Sequence, residues 1–152
     1  MNKSFDDLLK KLATVEKKKV SVAVAQDSEV LLAVKAAKER NIADSILVGD
    51  ADEIKKVADE IGMSLDGFEV IDVKDKIEAA RTAVKLVSEG KADMYMKGLL
   101  DTKDFLRSVL DKEVGLRTGR PLSHVCVFEM ASPIILPMAI LSTTSAPPTM
   151  RE

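Results

Sequence analysis

The chain is 152 residues long, enough for one domain with a substantial core, because a domain of that size buries roughly 70% of the surface its unfolded chain exposes. Its 46% hydrophobic and 32% charged residues are those of a globular protein in water, and a formal charge of −2 gives no global attraction to nucleic acid or to an anionic membrane. Only local patches could hold anions. One cysteine, Cys126, excludes an intramolecular disulfide and fits a reducing cytoplasm, and a single histidine leaves no Cys/His cluster with metal-ligand spacing, so no metal is expected. The opening residues MNKSFDDLLKKL carry early acids and no continuous apolar run, so neither a signal peptide nor a membrane span is expected there.

In chain order, residues 3–17 place Phe5, Leu8, Leu9, Leu12 and Val15 at helical spacing, with acids early and Lys17 to Lys19 late, which predicts an amphipathic helix aligned with its dipole. The run VSVAVA, residues 20–25, predicts a strand. Gln26-Asp27-Ser28 then breaks it before Val30, Leu31, Val34 and Ala37 resume helical spacing. Residues 45–48 predict a second buried strand stopped by Gly49-Asp50, followed by a helix through Asp52 to Ile61 that closes on Gly62. A third strand is expected over 68–71. Residues 72–89 read as a helix with Ile77, Ala80, Val84 and Val87 inward and Gly90 as a left-handed C-terminal cap.

The most informative stretch follows, ADMYMKGLLDT, residues 92–102, in which a short apolar strand ends at Lys97-Gly98 and a helix opens at Asp101 and Thr102. Such a corner suits an anion: glycine lets backbone approach a ligand closely, a helix start presents unpaired N–H groups, and lysine adds a full charge. The plainer reading makes Lys97 a surface lysine and Asp101 an ordinary N-cap. Phe105, Leu106, Val109 and Leu110 continue the helix, residues 111–120 form a charged loop, and LSHVCVFE, residues 122–129, predicts a fifth strand. Strands and helices alternating at this interval predict an α/β domain, a three-layer, mostly parallel sheet with helices on both faces. Ligands of such sheets lie beyond the carboxyl ends of the strands, which puts the Gln26, Gly49 and Lys97-Gly98 corners on one rim.

From Met130 the grammar changes. Residues 130–152 carry no charge before Arg151 and hold Pro133, Pro137, Pro147 and Pro148, so neither a helix nor a central strand runs through them. The expected domain is therefore residues 1–129, followed by an atypical apolar tail. Either Ile134 to Leu141 packs as an irregular strand, or the chain is truncated or frame-shifted there; the second is the favoured expectation.

Four blocks taken together, VAVAQDSEVLLAVKAAKE, ADSILVGD, GKADMYMKGLLDTKDFLRSVL and GLRTGRPLSHVCVFE, resemble the N-terminal half of the phosphate acetyl/butyryltransferase family, with butyryltransferases the nearest in pattern. The resemblance covers about Lys3 to Glu129, and its specific parts are MKGLLDT and LSHVCVFE. It implies an isocitrate/isopropylmalate dehydrogenase-like first domain, a cleft between two α/β domains, and dimers or larger assemblies. It also implies exchange of acyl-CoA plus inorganic phosphate for acyl phosphate plus coenzyme A, with coenzyme A as co-substrate and no resident cofactor. That chemistry needs restraint of a phosphate and activation of the coenzyme A thiol.

On the same resemblance Lys97, the Gly98 amide and the Thr102 hydroxyl would hold phosphate, and Ser123 and His124 would line the phosphate or acyl site. Arg117 and Arg120 either contact phosphates or are solvated loop charges. His124, alone on an apolar strand, is otherwise a structural histidine. Cys126 is read as core, since the attacking thiol belongs to coenzyme A, and Met96 as core filler. The family's thiol-activating residues lie downstream and the tail does not match that continuation, so no catalytic residue is assigned and the chain alone is expected to be inactive. The alternative is a non-catalytic anion- or coenzyme A-binding or oligomerisation module. A dehydrogenase reading of the same architecture is disfavoured, because no G-x-G-x-x-G follows any strand and acidic metal ligands are not evident.

Overall fold

The computed structural model describes residues 5–12, 14–119 and 122. The expected fifth strand, with Ser123, His124 and Cys126, lies outside these residues, as do Arg120 and the tail.

Among the described residues nine elements follow one another: α1 (Phe5–Leu12), β1 (Lys18–Ala23), α2 (Ser28–Glu39), β2 (Ala43–Gly49), α3 (Ala51–Glu60), β3 (Glu69–Asp72), α4 (Lys76–Ser88), β4 (Met94–Lys97) and α5 (Thr102–Val109). The four strands form one parallel sheet in the order β3-β2-β1-β4. The chain winds outward from β1 through β2 to β3, then crosses back to place β4 on the other side of β1. Parallel neighbours require crossovers, and each here is a helix.

The buried parts of the central strands are mostly apolar on both sides, with Ser21 and Ser45 as the buried polar exceptions, because both sheet faces are covered. Val22 and Leu47 pack with Leu31 and Val34 of α2 and with Ile54 and Ala58 of α3. Ala23, Ile46 and Val48 pack on the opposite face with Ala79, Ala80 and Ala83 of α4. Small residues along α4 let it lie close to the strands. By contrast, α1 buries none of its residues.

Several element bounds differ from the sequence expectation, each for a local reason. β1 runs from Lys18 to Ala23 and not to Ala25, because Val24 turns into the left-handed region at φ 56°. Its side chain consequently joins the same core cluster as Ala23, breaking the strand's alternation. α4 begins at Lys76 and not at Asp72, since Asp72 still pairs with Gly49 in the ladder and the Val73 amide donates to the Gly49 carbonyl at 2.9 Å. Asp75 then caps the helix, its carboxylate accepting from the Glu78 amide at 2.8 Å. Ile77 faces outward, 41% exposed, and Ala79, Ala80, Ala83 and Val84 make the buried stripe.

The expected glycine stops are observed. Gly62 and Gly90 take φ 64° and 73° after α3 and α4. In both turns an amide reaches back five residues, Met63 to the Ala58 carbonyl and Lys91 to the Leu86 carbonyl, each at 2.8 Å. α2 ends the same way with Asn41 at φ 58°, a stop that the sequence reading did not single out.

Candidate functional site

The strand order places a switch in winding direction between β1 and β4, and in doubly wound sheets the ligand crevice opens at such a point, beyond the carboxyl ends of the strands. The Lys97-Gly98 corner lies there. β4 runs beside β1 with Ala23 opposite Lys97, and the Gly98 amide donates to the Ala23 carbonyl at 2.7 Å. One residue on, the Leu99 amide donates at 2.9 Å to the carbonyl of Val24, which the left-handed turn at Val24 aims at it. Glycine is required at 98 because a Cβ would meet that Val24 oxygen and come within 2.9 Å of the Ala23 oxygen.

Four helix N-termini point at this rim, and they are not equivalent. Asp27 accepts from the Val30 amide at 3.0 Å. Asp50 accepts from the Asp52 and Glu53 amides at 3.0 and 3.3 Å, and Asp72 takes the Ala51 amide at 3.0 Å, so α3 is closed by two carboxylates. α4 is closed by Asp75. At α5 the N-cap residue Asp101 makes no side-chain cap bond, so no carboxylate is hydrogen-bonded to this helix start, although Asp104 lies in its first turn. A carboxylate already seated on a helix start excludes an external anion from it, and among these four helices only α5 lacks one.

The cleft at this corner has a volume of about 390 Å³, and its lining includes Lys76 and Ile77 of α4, Lys97, Gly98, Asp101 and Asp104. Its charge is balanced, two lysines against two aspartates. Asp104 lies 3.5 Å from the Arg107 guanidinium. Lys97 does not project freely: its Nζ donates to the Leu100 carbonyl at 3.0 Å. With Gly98, Leu99 and Leu100 all donating their amides within the protein, the free backbone donors of the corner are those of the first turn of α5.

The position of α5 is fixed from behind. Tyr95 of β4 stacks on Phe105 with ring centroids 4.7 Å apart, and its hydroxyl lies 2.8 Å from Ser108 Oγ and 3.3 Å from the Ala80 carbonyl. Ser108 donates in turn to the Phe105 carbonyl at 2.7 Å. Burial pushes the Tyr95 phenol above its ordinary pKa against the smaller opposing effect of Ser108, so it stays a neutral donor at physiological pH. At the other end of β4, Asp93 accepts from the Lys19 amide at 2.9 Å and pairs with Lys18 at 3.1 Å. Those contacts, the Lys19 amide foremost, hold its carboxyl below the usual range.

Of the residues expected at the site, Lys97 and Gly98 line the cleft together. Thr102 is exposed at the first position of α5 and is not among the lining residues. Met96 is half-buried against the α2–α3 core. Arg117 lines a separate hollow with Val109, Leu110, Leu116 and Leu122. Ser123 and His124 lie outside the described residues. Lys76 and Ile77 are lining residues that the sequence did not reveal, because the helix was expected to start at Asp72 and Ile77 to face inward. Gln26 was placed on the rim, but not its fit: its amide oxygen is buried against Gly49 and has no hydrogen-bond partner among the described residues. Among the described residues no His, Cys, Asp and Glu group could hold a metal ion, and no helix is long and apolar enough to cross a membrane.

Comparison with known proteins agrees with this architecture. The chain is 58% identical over 130 residues to a phosphate butyryltransferase of Clostridium beijerinckii, covering 86% of this chain and 43% of that protein. It is also 58% identical over 129 residues to a phosphate butyryltransferase of Clostridium acetobutylicum, covering 85% and 43%. It thus spans less than half the length of these relatives. An EutD phosphotransacetylase from Staphylococcus aureus superposes with a TM-score of 0.59 at 19% identity, covering 72% of this chain and 42% of that one, a likeness of fold. Residues 4–81 match the model of the phosphate acetyl/butaryl transferase family, and the chain belongs to that family.

Proposed function

We propose that this chain supplies one wall of a phosphate acyltransferase site, of the phosphate butyryltransferase kind, exchanging acyl-CoA plus phosphate for acyl phosphate plus coenzyme A. The observation that carries the reading is the open α5 start at the β1–β4 switch point, in a chain 58% identical to phosphate butyryltransferases. Lys97 and Gly98 build the corner, and phosphate sits against the first turn of α5, where Thr102 adds a hydroxyl. Ser123 and His124 complete the phosphate or acyl contacts. In the forward direction a phosphate oxygen attacks the thioester carbonyl, the C–S bond breaks, and coenzyme A leaves as a thiol after taking a proton. In reverse the coenzyme A sulfur attacks the acyl phosphate, the C–O bond to phosphate breaks, and the thiol proton passes to a base. Amide donors fixed before the reaction stabilise charge on phosphate without reorganising.

The finer fold reading is an isocitrate/isopropylmalate dehydrogenase-like first domain over residues 1–129, working in a homo-oligomer in the cytoplasm, with coenzyme A as co-substrate and no resident cofactor, nucleic acid or membrane. Residues 130–152 stand apart from that domain. The base that activates the thiol belongs to the part of the relatives that this chain does not span. That partial span favours a second reading, a non-catalytic module that binds phosphate or coenzyme A, or that assembles with a longer relative.

An acyl phosphate-forming assay with butyryl-CoA and phosphate, run beside thermal unfolding with phosphate or coenzyme A, separates these readings. Ligand bound only by the folded state raises Tm. The expected result is a phosphate-dependent rise in Tm with little or no turnover. Ordinary turnover by the chain alone would show that no second wall is needed, and absence of any ligand-dependent shift would remove the anion site.

A further inference from the structure

The cleft at the β4–α5 corner holds two lysines in different states. The ammonium of Lys97 closes a ring across Gly98 and Leu99 through its bond to the Leu100 carbonyl at 3.0 Å. Leu100 is itself buried, so a carbonyl stripped of that donor would be left poorly solvated. Lys76 is exposed at the first position of α4 and lines the same cleft, with no ion pair or hydrogen bond among the described residues. Drawing Lys97 onto a bound anion would break an existing bond and loosen the bend that sets α5. Turning Lys76 inward would restrict only an exposed, unbonded side chain.

The carboxylates of the cleft sharpen the contrast. Asp104 has the Arg107 guanidinium at 3.5 Å, whereas Asp101 is exposed and caps nothing. A second negative charge entering beside Asp101 needs a cation that can move to it, and Lys97 is held within its own loop. We infer that Lys76 is the cation that meets a phosphate bound in this cleft, and that Lys97 is a positioning residue that fixes the Gly98–Leu100 bend. The inference rests on the phosphate reading of the corner and divides the work between its two lysines.

The test follows thermal unfolding of the 152-residue chain while inorganic phosphate is titrated at fixed ionic strength, repeated at two salt concentrations. The variants are Lys76→Gln, Lys97→Met and Lys97→Arg. Lys76→Gln is expected to leave the phosphate-free Tm unchanged, to weaken phosphate about fivefold, the scale of one exposed charge pair, and to flatten the salt dependence of binding. Lys97→Met is expected to lower the phosphate-free Tm while keeping the wild-type salt dependence, and Lys97→Arg, which retains a donor, to recover part of the lost Tm. A wild-type chain with no phosphate-dependent shift overturns the phosphate reading and the inference together. A wild-type shift that persists unchanged in Lys76→Gln overturns the inference alone. A Lys97→Met chain with normal phosphate-free Tm and no phosphate shift reverses the two assignments.

Discussion

The β2–α3 and β4–α5 corners are built from similar parts, a strand running into a glycine and a helix opening behind an aspartate, yet they end in opposite states. At the first, Asp50 and Asp72 both place carboxylate oxygens on the amides of α3, and Gly49 leaves a notch that the Gln26 side chain fills. At the second, Asp101 makes no side-chain bond to its helix, Lys97 folds back onto Leu100, and Gly98 lies against the backbone of β1. The difference lies in what arrives from elsewhere in the chain. Asp72 reaches α3 from the end of β3, whereas the neighbour of the α5 corner is the turned carbonyl of Val24, which takes an amide and offers no negative charge to the helix start. Similar corners thus give one sealed helix start and one open to an external anion.

The largest expected effect that probes this contrast comes from adding one methyl at each glycine. Gly98→Ala should destabilise by about 3 kcal/mol, because its Cβ meets backbone that cannot move without disrupting β1, whereas Gly49→Ala should cost about 1 kcal/mol, since the Gln26 side chain can swing aside. Urea unfolding of the two variants measures both, and equal losses would mean that the corners are equally crowded. A smaller effect follows from the caps. Asp50→Ala should lose about 1 kcal/mol, while Asp101→Ala should change stability by less than about 0.5 kcal/mol, since no cap bond is removed. The same pair can be compared by chemical denaturation at neutral pH, where a loss at Asp101 as large as that at Asp50 would show that α5 is capped after all.

The smallest effect is in acid. Asp93 is held below the ordinary carboxylate range by the Lys19 amide and then by Lys18, and Asp111 by the amides of Glu113 and Val114 with a further contribution from Arg81. A depressed folded pKa adds stability that is complete above the unfolded value, about 4, and disappears as pH falls through the folded one. Tm should therefore decline below about pH 4, and Asp93→Asn should make that decline shallower while lowering Tm at pH 7. An acid limb unchanged in Asp93→Asn would mean that its carboxylate contacts are not held in solution. Asp93 sits at the opposite end of β4 from Lys97, so this loss should leave the contrast between the two corners intact.

Much of this organisation was legible in order along the chain. Helical spacing, β-branched runs and the glycines at 62 and 90 mark where elements start and stop, because those signals act over a few residues. The Lys97-Gly98 corner could be identified for the same reason. The left-handed turn at Val24 could not, since a β-branched residue does not favour that conformation on its own and is held in it by the packing and hydrogen bonding of its neighbours. The start of α4 was misplaced because Asp72 reads equally well as a helix cap or as the last residue of a strand, and only pairing with Gly49 decides between them.

By itself, then, the sequence determined the alternation of strands and helices, the family and the residue pair at the centre of the candidate site. Tertiary structure alone decided that β4 returns to the far side of β1, which makes Lys97-Gly98 a switch-point corner. It also decided that Asp72 reaches across to the start of α3, that the carbonyls of Ala23 and Val24 take the Gly98 and Leu99 amides, and that Lys76 shares the cleft of Lys97. Periodicity and capping are local and can be read along a chain. The Asp72 carboxylate on the Ala51 amide, and the Ala23 and Val24 carbonyls on the Gly98 and Leu99 amides, join positions far apart in the chain, and no short window of sequence contains both partners.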